Sequence, residues 1–331
     1  IFSSLLLSGT LLTGAAIYAQ EKSDNDPHTN YPERYGSDYP EHTTFVDQYE
    51  TQVPGQAKQL WLNMQFLKNS KTVIGPILYD FAQRNFVFYA PEEMIDYGYW
   101  KRKRGMVFVN QDQTPDIQLT TQVHETIHGI QKSSRDHYDR MSLSIHQRQR
   151  RNLSTEAAAM TGEYLFAIEM LVRYDSTNFI DINEYMDNGR MAEVMQAWET
   201  ACHDSLSYQD ALVRAGSEIF SQQFKRQRWL DGYNQGILYF YVKDMLEGKI
   251  LPPCKDSVFS NDDVRLSGRL SPELNITERV NGLPHDLFGD NEKMRQAFAY
   301  AELERVHRTA GDESDLYNSL RSQLREEGNP Y

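Results

Sequence analysis

Cysteine is scarce in this chain. Only Cys202 and Cys254 occur among 331 residues, so at most one disulfide can form. In an exported protein such a pair invites a Cys202–Cys254 disulfide, with two free thiols as the alternative. Positive charge is also in short supply. Lys and Arg number 34 against 47 Asp and Glu, a formal net charge of −13. That balance excludes general nucleic-acid binding and disfavours tight association with anionic membranes. The chain has no internal repeat, no glycine-rich phosphate loop and no G-x-S-x-G nucleophile elbow. What it has in quantity is aromatic residues, 12% of the chain, twenty of them tyrosine, as expected of a folded protein.

The strongest signal is His124-Glu125-Thr126-Ile127-His128. It reads H-E-x-x-H within a segment of helical pattern. Positions i and i+4 share a helix face, so both imidazoles can reach one metal ion. Glu125 is placed to act as general base on water that the metal acidifies. Thr114-Pro115-Asp116 has the composition of a helix start. Leu119, Val123, Ile127 and Ile130 then form a core-facing stripe with the two histidines beside it. Gly129 permits another element to approach closely, and Gln131 falls at the rim of the same face.

A catalytic zinc ion takes three protein ligands and keeps one open position. The extended H-E-x-x-H-x-x-G-x-x-H pattern would need glycine at 131 and histidine at 134, where Gln131 and Ser134 stand, and the inverted H-x-x-E-H order is absent. A glutamate from a second helix remains. In Ser154-Thr155-Glu156-Ala157-Ala158-Ala159, Ser154 is expected to cap a new helix and place Glu156 in its first turn. The alanines permit close helix contact. Met160, Tyr164, Ile168 and Leu171 give that helix its buried stripe. Glu163 lies two turns further along nearly the same face, so either carboxylate is a candidate ligand and the other a candidate partner for a ligating histidine. Asp136, His137 and Asp139 follow His128 so closely that a sharp turn would be needed. Tyr233 is the candidate for stabilising a tetrahedral oxyanion, ahead of Tyr239 and Tyr241.

H-E-T-I-H followed by E-A-A-A resembles the gluzincins, zinc metallopeptidases in which the third ligand is a glutamate from the next helix. The longer V-H-E-T-I-H-G-I-Q resembles uncharacterised bacterial metallopeptidases with an H-E-x-x-H-x-x-Q helix. In those, a strand bearing an asparagine precedes the helix and an E-A-x-A helix follows. Here the strand would be Gly105 to Asn110, and the likeness spans about residues 75 to 175. The resemblance implies Zn2+, His124 and His128 as ligands, Glu125 as base and Glu156 as third ligand, with Glu163 as the alternative. It implies no particular substrate. Met160 stands where the thermolysin-type continuation has an aspartate.

Residues 1–19 carry no charge and end Ala16-Ile17-Tyr18-Ala19, the pattern of a signal peptide truncated at its start and cleaved near Gln20. An uncleaved membrane anchor is the alternative. Residues 20–55 read as a polar linker or arm, 56–250 as the catalytic domain and 251–331 as a loop-rich and helical extension. Within the catalytic domain, helices are expected near 56–67 and 73–84, and strands at 85–89 and 106–109. Further helices are expected at 191–205, 209–226 and 229–246, and two more at 291–308 and 313–327. The strand before the H-E-x-x-H helix is expected to offer an edge to an extended peptide. The basic run Lys101 to Arg104 is a solvated turn or a feature favouring acidic substrate segments. The sequons at Asn152 and Asn275 are read as chance.

The expected fold is therefore α+β and mostly helical, a minimal zincin-like core with a C-terminal helical extension. The expected function is zinc-dependent peptide hydrolysis, periplasmic or secreted, on a peptide or protein substrate. No nucleic-acid partner and no stable membrane insertion after signal cleavage are expected. A metal-dependent amidase acting on cell-wall or other non-peptide bonds is one alternative, and a non-catalytic zinc-containing binding protein another.

Overall fold

The computed structural model describes residues 42–101, 105–133, 143–174, 190–249, 259–311 and 314–326. The expected signal peptide, most of the polar arm, Arg102 to Arg104, Asp136, His137, Asp139 and Cys254 lie outside these residues. The fold is α+β and mostly helical. The chain divides into two compact units, 1–130 with 163–192, and 131–162 with 193–331.

The first unit carries a four-stranded mixed sheet: β1 (Thr44–Phe45), β2 (Phe88–Glu92), β3 (Gly98–Lys101) and β4 (Met106–Asn110), in the order β1-β2-β4-β3. β2 and β4 run parallel, and the outer pairs are antiparallel. Helices α1 (Lys58–Asn69) and α2 (Ile74–Arg84) precede β2. Leu60, Met64 and Leu67 are buried at their helical spacing, as expected. α3 (Pro115–Ser133) follows β4 and carries the H-E-x-x-H residues. It starts at Pro115, where a missing backbone donor costs nothing. Its buried stripe, Leu119, Val123, Ile127 and Ile130, is the one the sequence presents.

Polar contacts fix the register of α3. The Tyr89 and Thr126 hydroxyls are 2.9 Å apart and buried. Gln122 Nε2 donates to the Leu60 carbonyl at 3.1 Å. The buried carboxylate of Glu169 accepts from the Val73 and Ile74 amides at 2.7 and 3.0 Å, capping α2. Capping by a side chain ninety-five residues away has no local sequence signal.

Several expectations change. The strand read at 85–89 starts at Phe88. Asn85 and Phe86 instead close α2, with Asn85 N donating to Phe81 O at 3.0 Å and Phe86 at a positive φ of 52°. β2 then runs through Pro91, which is tolerated because β1 pairs only with Phe88 and Tyr89. Thr44 and Phe45, assigned by composition to the arm, form β1 and are buried. β4 is an interior strand, buried along its whole length. The edges are β1 and β3, neither of which the sequence pattern presents as a strand.

In the second unit, α4 (Ile145–Tyr174) begins well before Ser154 and ends in the first unit. Ser144 Oγ accepts from Gln147 N at 3.2 Å at its start. Ser154 is thus no cap: it is buried mid-helix, and its hydroxyl donates to Ser267 Oγ at 3.0 Å. The stronger signal lay earlier, at Ser144 before Ile145. α5 (Arg190–Asp204), which begins in the first unit, is followed by α6 (Tyr208–Gln223), α7 (Gln227–Leu246), α8 (Asn261–Leu266), α9 (Glu292–Ala310) and α10 (Asp315–Glu326). The core of the second unit joins Leu153, Ala157 and Ala158 to Phe220, Leu230, Tyr241 and Phe298. Inside it, Glu302 accepts from Ile145 N at 3.1 Å and from the Tyr241 hydroxyl at 2.9 Å. Among the described residues no helix is long and apolar enough to cross a membrane.

Candidate metal centre

The site is built on one helix face. His124 and His128 sit one turn apart on α3, and their Nε2 atoms approach to 3.1 Å. Glu125 is buried beside them. Ligand atoms of His124, Glu125 and His128 all lie within 4.8 Å of one another, and this is the only such cluster of three or more among the described residues.

The histidine pair has a specific electronic arrangement. His124 Nδ1 lies 3.1 Å from Glu163 Oε2, and Glu163 is buried on the first-unit portion of α4. A carboxylate accepts only, so Nδ1 carries a proton, and in the neutral ring this tautomer leaves the lone pair on Nε2. That lone pair faces His128 Nε2. Two ring nitrogens this close require a proton or a cation between them. The fit to zinc is good: bonds of about 2.0–2.1 Å to two tetrahedral imidazole ligands place the nitrogens about 3.3–3.4 Å apart. A buried carboxylate on the far ring nitrogen is the partner a ligating histidine usually has.

The sheet edge closes on this face. A Cβ at Gly98 of β3 would lie 3.5 Å from Glu125 Cγ, 2.5 Å from Thr121 Cγ2 and 2.6 Å from the Phe108 carbonyl. Thr121 and the Phe108 carbonyl leave no room for a Cβ, so only glycine lets β3 pack here, next to Glu125. One turn further along α3, Gly129 receives the Trp100 ring, with a Cβ there 2.9 Å from Trp100 Cη2 and 3.0 Å from Phe81 Cε1. The close approach expected at Gly129 is therefore made by β3. Gly98 carried no comparable signal, since a lone glycine between two tyrosines reads as a turn.

The remaining candidates lie in the second unit. Tyr233 donates its hydroxyl to Glu156 Oε2 at 3.2 Å, and its ring packs on Trp229 at 4.8 Å between centroids. Glu156 and Tyr233 are both half-buried. Tyr241 is fully buried on Glu302, and burial followed by the Glu302 charge pushes its phenol far above the ordinary range. Tyr239 is exposed. Gln131 is an anchor: its Nε2 donates to the Thr155 and Ser267 carbonyls at 3.0 and 2.9 Å. Cys202 is an exposed thiol. The structure thus brings together His124, Glu125, His128 and Glu163 in the first unit, and pairs Glu156 with Tyr233 in the second.

Comparison with protein-family profiles, with curated proteins and with solved structures returned no match.

Proposed function

We propose that this protein is a zinc-dependent hydrolase of peptide bonds. The observation that carries the reading is the pair of converging Nε2 atoms, 3.1 Å apart, with Glu125 beside them and Glu163 on His124 Nδ1. His124 and His128 would hold the ion, with Glu163 orienting His124 through its Nδ1. Zinc, when bound, acidifies water and polarises a carbonyl. Glu125 would accept the proton of the attacking water at its carboxylate and pass it to the leaving amine. A buried structural site has no use for such a base.

The substrate reading rests on β3. With β1 it is one of the two outer strands of the sheet among the described residues, and its Gly98 backbone lies beside Glu125. An extended chain pairing with that edge would bring a scissile amide next to the base. Export is part of the proposal, with a mature N-terminus near Gln20, to be read by mass spectrometry of protein from the periplasm or medium. The test of function is hydrolysis of casein by purified protein, abolished by a chelator and restored by zinc. Failure of the zinc-loaded protein to cleave any member of a broad peptide library would overturn the reading.

A further inference from the structure

The loop between β2 and β3 is held far more firmly than its composition requires. Asn110, buried at the end of β4, donates from Nδ2 to the carbonyls of Met94 at 2.8 Å and Asp96 at 3.1 Å. Its backbone amide donates to Tyr97 O at 2.8 Å, and Gln111 N donates to Glu92 O at 3.2 Å. Four carbonyls of a six-residue segment are thus tied to two consecutive residues of the strand end.

At the centre of this fixed loop, Ile95 is fully exposed, and Tyr97 and Tyr99 follow with 43% and 38% of their surface open. One exposed isoleucine is ordinary on a protein surface. Its place is what matters. Ile95 precedes Gly98 by three residues, so it lies within about 11 Å of the strand residue next to Glu125. It also stands where a chain paired with β3 would run on past the sheet. Glu93 and Asp96 flank it with exposed carboxylates. An apolar side chain on a fixed backbone loses less ordering entropy on binding than one on a free loop, which is how preorganised recognition loops gain affinity.

We propose that the loop Glu93–Tyr97 is the specificity element of the site. It selects, in an extended peptide lying along β3, a large apolar side chain adjacent to a basic residue. The apolar side chain packs on Ile95 and Tyr97, and the basic one is drawn by Glu93 and Asp96 through charge complementarity. Asn110 is a positioning residue for this loop. The proposal rests on the peptide reading of the site, but it concerns recognition and is separable from turnover.

The test uses the full-length, zinc-loaded Glu125→Gln protein and three fluorescein-labelled decapeptides, read by anisotropy. The first carries leucine beside arginine, the second serine beside arginine, the third leucine beside glutamate. The first should bind about tenfold more tightly than the second and several-fold more tightly than the third. Ile95→Ser should remove the leucine preference and leave the serine peptide unchanged; the side chain is solvent-exposed, and circular dichroism checks the fold. Glu93→Lys with Asp96→Lys should invert the charge preference. Equal binding of all three, no binding of the first, or ratios unmoved by either variant overturns the proposal. Casein hydrolysis by the unmodified protein is scored separately. Selective binding without hydrolysis sinks the peptidase reading alone, and hydrolysis with indifferent binding sinks this one alone.

Discussion

His124 Nδ1 and Glu163 Oε2 lie 3.1 Å apart, and both side chains are largely buried. The carboxylate fixes the tautomer of the imidazole and aims the Nε2 lone pair at His128. A pair that only filled space would not need its ring nitrogens turned toward each other.

Metal content tests this first. The purified chain should bind about one zinc, and His124→Ala or His128→Ala should release it under dialysis that leaves the parent loaded. Full occupancy in both variants by elemental analysis would sink the site.

Glu125→Gln should retain zinc and the parent melting curve while losing activity on any identified substrate. Removal of a general base costs about 10²–10⁴-fold. Turnover within a factor of two of the parent would exclude Glu125 as the base.

Glu163 should act on the metal through His124. A partner of a ligating histidine is worth about 10–100-fold in metal affinity, and a direct ligand more. Glu163→Ala should therefore fall in that range. Chelator competition against the parent decides the matter. An unchanged affinity would remove Glu163 from the site, and a larger loss would make it a direct ligand.

Gly98→Ala should destabilise the protein and slow hydrolysis together. The added carbon would sit 2.6 Å from a backbone oxygen of β4, which cannot rotate away. Overpacking of this kind costs about 1–3 kcal/mol. An unchanged unfolding midpoint would show that β3 can shift, and that its closeness to Glu125 is not fixed by this glycine.

The helical part of the candidate site is legible in the sequence. The i, i+4 spacing puts His124 and His128 on one face whatever the surrounding fold, because helix geometry is local. The stripe Leu119, Val123, Ile127 and Ile130 chose which face that was. Pro115 marked the start of α3 for an equally local reason. The same logic misled at Ser154. A serine before a run of helix formers has the chemistry of a cap, yet Ser154 lies inside a thirty-residue helix that had started at Ile145, with its hydroxyl on Ser267. A serine hydroxyl is satisfied by any hydrogen-bond partner within reach, and sequence does not say which partner is nearest.

The sequence by itself determined the helix that carries the two histidines and Glu125, since periodicity and capping act over a few residues. Only the tertiary structure decided that Glu163 meets His124, that β3 rather than β4 is an edge, and that Gly98 packs on α3 at Thr121, next to Glu125. Those contacts join residues tens of positions apart. Strand order and helix packing set them through burial and steric fit, and neither quantity is written in any local window of the chain.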